Sequence, residues 1–157
     1  MPTNKELLVK AQALNNEEKY SEVIELLSDN LLEKLQDADL YAEKAQAYYW
    51  LKEYNFLETA IECALSINSN QAKANNYKGN ICAKLNKGEE AIKYFNQAIK
   101  NDPKYAIPYN GLGNVYGRLK ECNKAIEYYK KAIDIDSRYA HPYHGLGNIY
   151  SDLKDYN

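Results

Sequence analysis

Cysteine and histidine, the most common ligands of structural zinc, are scarce in this sequence. Its 157 residues include three cysteines and two histidines, and the cysteines form no CxxC pair. A structural zinc site needs four ligands at suitable spacing. His141 and His144 are one helical turn apart, but no cysteine accompanies them. We therefore predict that Cys63, Cys82 and Cys122 are free, partly buried thiols in a reducing compartment, with neither a metal site nor a cofactor.

Long apolar runs and an excess of charge of one sign are also missing. The longest apolar runs are far shorter than the roughly 20 residues that a membrane-spanning helix requires. Basic and acidic side chains number 20 and 22, for a formal net charge of −2. That balance argues against nucleic-acid binding driven by phosphate neutralisation, and against a polybasic membrane patch. Because the N-terminal segment also lacks the pattern of a secretion signal, we expect a cytoplasmic protein, or a mature piece whose targeting segment was removed.

Common enzyme motifs are absent as well. The sequence has no GxGxxG run, phosphate loop, HExxH or GxSxG. The glycines of Gly111-Leu112-Gly113 fall inside a predicted helix and not in a strand-to-helix turn, so they do not form a nucleotide loop. We predict that the protein is not an enzyme.

The sequence instead has a repeat with a period of 34 residues. Two segments that begin at Ala106 and Ala140 match at most positions: AIPYNGLGNVYGRLKECN and AHPYHGLGNIYSDLKDYN. The same register extends back along the chain without an insertion. We predict a single domain over 1–157, with full repeats at 4–37, 38–71, 72–105 and 106–139 and a partial repeat at 140–157.

Each repeat is predicted to form two helices. In the repeat that begins at Ala106, residues at helical spacing form two apolar stripes, separated by the polar segment 120–123. The first stripe contains Tyr109, Leu112, Gly113 and Tyr116, and the second contains Ala125, Ile126, Tyr129, Ala132 and Ile133. Thr3 and Glu6 have the spacing of a capping box for the first helix.

Small residues recur at the eighth position of the repeat. They are Ala11, Ala45, Gly79, Gly113 and Gly147. Glycine inside a helix is unfavourable by about 1 kcal/mol relative to alanine, so its repeated use indicates a close approach of helices. We expect large neighbours such as Tyr116 and Tyr129 to fill the flanks.

These residues resemble the signature of the tetratricopeptide repeat family, which has this period. The signature positions are Tyr109, Leu112, Gly113, Tyr116, Ala125, Tyr129 and Ala132. The resemblance covers nearly the whole chain and is strongest from Ala72 onward. It implies an all-α fold, a right-handed α-solenoid of antiparallel helix pairs, with four full repeats and the first helix of a fifth.

The first two repeats depart from the family pattern. Val23 and Leu57 stand where alanine is usual, and Asn30 stands at the position of Ala132. Lysine replaces the leucine seen at Leu112 in three repeats, at Lys10, Lys44 and Lys78. The sequence therefore predicts the packing of the helices less precisely in the first two repeats.

The sequence stops where the second helix of the fifth repeat should begin. Leu146, Gly147 and Tyr150 would then lack cover from their own repeat, whereas terminal repeats normally carry a polar cap. We expect either a fragment of a longer array or a second chain that covers this end.

The resemblance also implies that an extended peptide binds along the first helices of the repeats. The ninth position carries side-chain amides: Gln12, Gln46, Asn80, Asn114 and Asn148. An amide offers donors and an acceptor, which suits a peptide backbone. The alternative is that these are solvated residues inherited from the repeat pattern.

Other candidate groove residues follow from the same register. The fifth position contributes Asn76, Asn110 and His144, and the sixth contributes Glu43, Tyr77, Gly111 and Gly145. The two glycines either leave the groove open to a peptide backbone or only relax the start of the helix. Lys84 and Arg118, with Lys73, would suit an acidic ligand or are simply solvated.

Tyr49 and Trp50 complete the predicted groove. Trp50 is the only tryptophan, and tryptophan and tyrosine are enriched among binding hot spots. The alternative is that Trp50 packs between neighbouring helices. A chaperone-tail clamp of the family type is not predicted, because Leu8 and Tyr77, or Ala42 and Gly111, occupy the places of its basic residues.

Three functions fit this sequence. The first is a non-catalytic scaffold that holds a protein or peptide. The second is a structural module that self-associates through its exposed C-terminal repeat. The third is a regulatory or substrate-docking arm of a larger enzyme.

Overall fold

A computed structural model of the chain describes residues 2–155, and helices are the only regular secondary structure in this part. The helices are α1 (Asn4–Asn16), α2 (Tyr20–Leu26), α3 (Asp29–Leu35), α4 (Ala38–Leu51), α5 (Tyr54–Ile67), α6 (Ala72–Lys84), α7 (Gly88–Asn101), α8 (Ala106–Arg118), α9 (Cys122–Ile135) and α10 (Ala140–Asp155). The predicted all-α fold is confirmed. Helices α1, α4, α6, α8 and α10 begin 34 residues apart, so the period of the sequence is also the period of these helix starts.

The chain divides into two compact units, Met1–Tyr77 and Lys78–Asn157. The first unit contains α1 to α5 and the beginning of α6. The second contains the rest of α6 and α7 to α10. Residue Met1 and residues from Tyr156 onward lie outside the described part of the chain, and so does any prediction that concerns them.

The turns within the helix pairs also follow the repeat. Glu18, Lys52, Asn86 and Lys120 are 34 residues apart, and all have φ between 59° and 62°. At the other end of α1, the Thr3 hydroxyl oxygen accepts a hydrogen bond from the Glu6 amide at 3.2 Å, and the Glu6 carboxylate accepts one from the Thr3 amide at 2.7 Å. The predicted capping box is therefore present.

The first repeat is not the simple helix pair that we predicted. Its second half forms two short helices, α2 and α3, which are separated at Leu27 and Ser28. A single continuous helix would place Asn30 in the packing seam, where Ala132 lies in a later repeat. With the break, Asn30 is exposed, while Leu27 and Leu32 are fully buried. The polar residue at an alanine position is the physical reason for the difference.

Two aromatic rings organise the core of the second unit. The Phe95 ring on α7 lies against Gly79 and Gly111, where an added Cβ would approach ring carbons to 2.8 Å and 2.6 Å. The Tyr129 ring on α9 lies in the same way against Gly113 and Gly145, with corresponding distances of 2.5 Å and 2.4 Å. Only glycine leaves room for these rings.

This arrangement corrects our interpretation of Gly111 and Gly145. Both have a packing role that neither interpretation included, because aromatic rings of the preceding second helices occupy the space where a side chain would lie. The expectation that Tyr129 fills the flank of Gly113 is confirmed. Gly147 differs from the other two glycines of its position, since an added Cβ there would meet no atom within 4 Å.

Candidate functional site

A cavity of about 710 Å³ lies between α8 and α10 in the second unit. The buried ring of Tyr129 reaches it from α9. Helix α8 contributes mainly Asn110, Asn114, Gly117 and Arg118, and α10 contributes mainly His141, His144, Gly145, Asn148 and Asp152. The cavity therefore has amides from two consecutive first helices on opposite sides.

The amides of α8 differ in their hydrogen bonding. Asn110 is only 7% exposed, and its side-chain oxygen is buried without a hydrogen-bond partner among the described residues. Asn114 is exposed, and its side-chain oxygen accepts a hydrogen bond from the Tyr129 hydroxyl at 2.8 Å. A buried acceptor without a partner is unfavourable by about 1–3 kcal/mol, and the Asn110 oxygen is closed to the cavity, so Asn114 is the amide of α8 that a ligand can reach.

Tyr129 is a cavity residue that the sequence analysis placed only in the packing. Burial raises the pKa of its hydroxyl, which keeps the group protonated and able to donate to Asn114. The signal was present in the sequence: Phe95 occupies the same repeat position, and the extra hydroxyl of tyrosine requires a polar partner when it is buried. The ring fills the glycine sites and its hydroxyl forms part of the cavity floor.

The rim of the cavity carries more basic than acidic groups. Arg118 donates from its Nη1 to the carbonyl of Ala83 at 2.8 Å, and Lys120 lies 4.0 Å from the Asp152 carboxylate. Nδ1 of His144 and Nδ2 of Asn148 are 3.3 Å apart. Of the carboxylates, only Asp152 is among the residues that line the cavity. The rim therefore suits an uncharged or acidic ligand better than a basic one.

The structure brings together six of the candidate groove residues in the second unit. These are Asn110, Asn114, Arg118, His144, Gly145 and Asn148. Asn80, which is half-buried, and Lys84, which is exposed, do not line this cavity.

The corresponding polar groups of the first unit bond to one another. Glu43 is 2% exposed, and its carboxylate accepts hydrogen bonds from Lys73 Nζ at 2.6 Å and Asn15 Nδ2 at 2.9 Å. Gln12 donates to the same carboxylate at 3.2 Å, and Gln46 accepts from Lys73 at 3.2 Å. The amides of the ninth position are thus used internally in this unit. The sequence analysis placed Glu43 at a groove position, but it did not foresee that Lys73 and Asn15 would bind its carboxylate.

The remaining predicted residues of the first unit are aromatic or buried. Asn76 and Tyr77 are 1% and 6% exposed, so their side chains offer little surface to a ligand. Trp50 is 52% exposed, and its ring centroid lies 5.4 Å from that of Tyr49 and 6.3 Å from that of Tyr20. Trp50 therefore packs against Tyr20 of α2 and Tyr49 of its own helix and remains accessible, and its role in binding stays a prediction.

No helix within residues 2–155 is long and apolar enough to cross a membrane. In the same range, no group of three or more histidine, cysteine, aspartate or glutamate side chains is arranged to hold a metal ion. Cys63, Cys82 and Cys122 are free, as predicted.

Comparison with known proteins identifies the repeat. Residues 70–138 match the sequence profile of the family described as Tetratricopeptide repeat. A search of curated proteins finds no match to the chain.

Solved structures with the same fold come from several proteins. PilF of Pseudomonas aeruginosa is similar with a TM-score of 0.75 at 18% identity, over 96% of this chain and 68% of PilF. YrrB, described as a TPR protein with an unusual peptide-binding site, has a TM-score of 0.63 at 22% identity, over 85% of this chain and 69% of YrrB.

A third structure contains a bound peptide. It is the first TPR of Spaghetti (RPAP3) bound to the HSP90 peptide SRMEEVD, with a TM-score of 0.65 at 17% identity, over 76% of this chain and 94% of that one. At these identities the likenesses concern the fold alone. Together with the matched profile, they identify residues 70–138 as tetratricopeptide repeats and the fold of the chain as that of tetratricopeptide-repeat proteins.

Proposed function

We propose that this chain is a non-catalytic interaction scaffold that binds an extended protein or peptide segment in the cavity between α8 and α10. The observation that carries the proposal is a pair of exposed asparagines, Asn114 and Asn148, on the two helices that line opposite sides of that cavity. Asn114 and Asn148 are exposed on the two facing helices and supply amide groups for the peptide carbonyls.

The charge of the cavity rim favours a ligand that carries acidic side chains. The two cations Arg118 and Lys120 outnumber the single carboxylate of Asp152 among the residues that line the cavity. An acidic side chain of the ligand would therefore gain from the field of the rim, and this gain would weaken as salt screens it. YrrB and the RPAP3 repeat bind peptides according to their descriptions, which supports the same general role for this chain.

The test is to select peptides that bind the chain from a displayed random library and to measure their affinity by fluorescence anisotropy. The double variant Asn114→Ala with Asn148→Ala should weaken binding about tenfold or more. Each lost hydrogen bond is worth about 0.5–1.5 kcal/mol, and about 1.4 kcal/mol corresponds to a factor of ten.

A matched control is available on the second helices. Asn96 and Asn123 are also exposed asparagines, on α7 and α9, and Asn96→Ala with Asn123→Ala should leave the affinity unchanged. Circular dichroism checks that both double variants keep their helix content. Equal affinity of the Asn114/Asn148 variant and the parent chain would contradict the proposal.

Self-assembly through α10 is the alternative that an observation favours. Tyr143 and Tyr150 are 48% and 45% exposed, and Gly147 between them meets no neighbour. Light scattering on the same protein distinguishes the two functions, since a monomer over a wide concentration range argues against self-assembly.

A further inference from the structure

Four aromatic rings form a continuous row in the first unit. Tyr20 stacks with Trp50 at a centroid distance of 6.3 Å, Trp50 meets Tyr49 edge-on at 5.4 Å, and Tyr49 lies 5.2 Å from Tyr77. The row joins α2, α4 and α6. It shares no residue with the cavity between α8 and α10.

Trp50 is the exposed member of this row. Its side chain is fixed by Tyr20 on one side and by Tyr49 on another, yet the residue is 52% exposed. A ring that is already held in place loses little conformational freedom on binding. Trp50 is therefore a preorganised aromatic surface rather than a mobile side chain.

The surroundings of Trp50 favour positive charge. Trp50 is the second-last residue of α4, and the turn from α1 to α2 lies beside it through Tyr20. Neither α1 nor α4 has a basic residue in its last turn, so the cations nearest in sequence to the negative ends of the two helix dipoles are Lys19, after α1, and Lys52, the C-cap residue of α4.

Charged side chains near the row add to this field. The neighbouring turns carry Glu17, Glu18 and Glu53, together with Lys19 and Lys52. Lys19 is paired with Glu17 at 2.7 Å. The Glu18 carboxylate acts on the row directly, because it joins burial in raising the pKa of Tyr20.

We propose that the aromatic row around Trp50 is a second docking surface, and that it binds a segment of a partner protein through an arginine side chain stacked on the Trp50 ring. Tryptophan is the best aromatic acceptor for a cation, and arginine is its most frequent partner. A guanidinium group is planar and more weakly hydrated than an ammonium group, so it stacks on the indole while its N–H groups reach carboxylates such as Glu18. Proline-rich and acidic segments are the competing occupants.

The single tryptophan makes a direct test possible. Trp50 emission is recorded while the chain is titrated with nona-arginine, nona-lysine, nona-proline or nona-glutamate, each without an aromatic residue. We expect saturable quenching by nona-arginine, weaker quenching by nona-lysine and no response to the other two. The response to nona-arginine should decrease at high salt.

Variants separate this surface from general attraction to an acidic protein. Measured by anisotropy with labelled nona-arginine, Trp50→Ala should weaken binding about tenfold. The control Phe56→Ala removes another aromatic residue of the same unit, which is 58% exposed, and should leave binding unchanged.

A second arm keeps the tryptophan and changes the charge. Glu18→Gln with Glu53→Gln should weaken binding severalfold, whereas Glu89→Gln with Asp134→Asn, at exposed sites of the second unit, should not. This arm decides the question even if Trp50→Ala fails to fold.

Several results would overturn the proposal. They are binding of nona-arginine without any change in Trp50 emission, equal affinity of Trp50→Ala and the parent chain, and a stronger response to nona-proline or nona-glutamate. Because the Asn114/Asn148 variant leaves this surface intact, loss of peptide binding in the cavity and loss of arginine binding at Trp50 are separately observable.

Discussion

At the scale of single residues, two glycines of α10 show how differently the same residue type is used. Gly145 and Gly147 are both inside the helix. A Cβ at Gly145 would lie 2.4 Å from the Tyr129 ring, whereas one at Gly147 would meet no atom within 4 Å. The ring cannot move away from Gly145, because Gly113 confines it on the other side. The unfavourable effect of glycine on helix stability is therefore offset by packing at Gly145 but not at Gly147.

We predict opposite effects of alanine at the two positions. Gly145→Ala should lower the free energy of unfolding by about 1–3 kcal/mol through overpacking. Gly147→Ala should raise it by up to about 1 kcal/mol, because alanine is the better helix former. Urea denaturation followed by circular dichroism measures both. A stabilising Gly145→Ala, or two variants of equal stability, would contradict the packing described for Tyr129.

At the scale of secondary-structure elements, the break between α2 and α3 accompanies an unusual ion pair. Lys44 of α4 has a side chain that is only 4% exposed, and its ammonium lies 2.6 Å from the carboxylate of Asp29, the first residue of α3. The ammonium also lies 5.7 Å from the centre of the Tyr48 ring. Lys44 stands where the fourth repeat has Leu112. The start of α3 thus supplies the partner that a buried lysine requires.

We predict that this pair is not needed for stability. Lys44→Leu should leave the free energy of unfolding unchanged or raise it, because replacing a buried charge by an apolar side chain is often neutral or stabilising. Asp29→Ala should lower it by about 1 kcal/mol, a small amount because the Asp29 carboxylate is largely exposed.

A double-variant cycle checks the interpretation. In the Lys44→Leu background, Asp29→Ala should have almost no effect, since its partner is gone. An undiminished effect of Asp29→Ala in that background would show that Asp29 stabilises the start of α3 by another interaction.

The elements were predictable to the extent that the repeat is regular. The starts of α1, α4, α6, α8 and α10 follow from the period, and the capping box follows from Thr3 and Glu6. The break at Leu27 and Ser28 did not follow, although Asn30 at an alanine position and Leu32 at a position that is polar in later repeats signalled it. A repeat pattern predicts the features that all repeats share. In the first repeat, Asn30 in place of alanine changed which residues could be buried.

At the scale of the whole molecule, the abundance of tyrosine controls the response to alkaline pH. Burial is the largest cause that raises the pKa of Tyr41, Tyr48, Tyr128 and Tyr129 above the ordinary value of 10.0. In the unfolded chain these hydroxyls lose their protons near that value, whereas in the folded chain they keep them. The unfolded state therefore binds fewer protons above pH 10, and stability falls as the pH rises.

We predict a thermal midpoint that is nearly constant up to about pH 9 and falls steadily above about pH 10. Thermal melts followed by circular dichroism at a series of alkaline pH values measure it. Tyr129→Phe should make the fall shallower, while Tyr150→Phe, at an exposed tyrosine, should not. A midpoint that rises above pH 10 would contradict the burial of these hydroxyls.

The candidate site was only partly predictable across the molecule. The register of the repeat predicted that Asn114, Arg118, His144 and Asn148 share a face, and all four line one cavity; their role in binding stays a prediction. It did not predict that Glu43 and Lys73 would satisfy the equivalent amides of the first unit. Those hydrogen bonds depend on residues that differ between repeats, so a pattern of shared residues could not show them.

The shared aromatic rings have a consequence for how the second unit comes apart. Each ring belongs to one helix pair and also packs against a glycine of the next pair. When one pair unfolds, the next pair therefore loses part of its core. Neighbouring repeats coupled in this way do not melt independently. The second unit should therefore unfold in one cooperative thermal transition, which calorimetry would record as a single sharp peak of heat absorption.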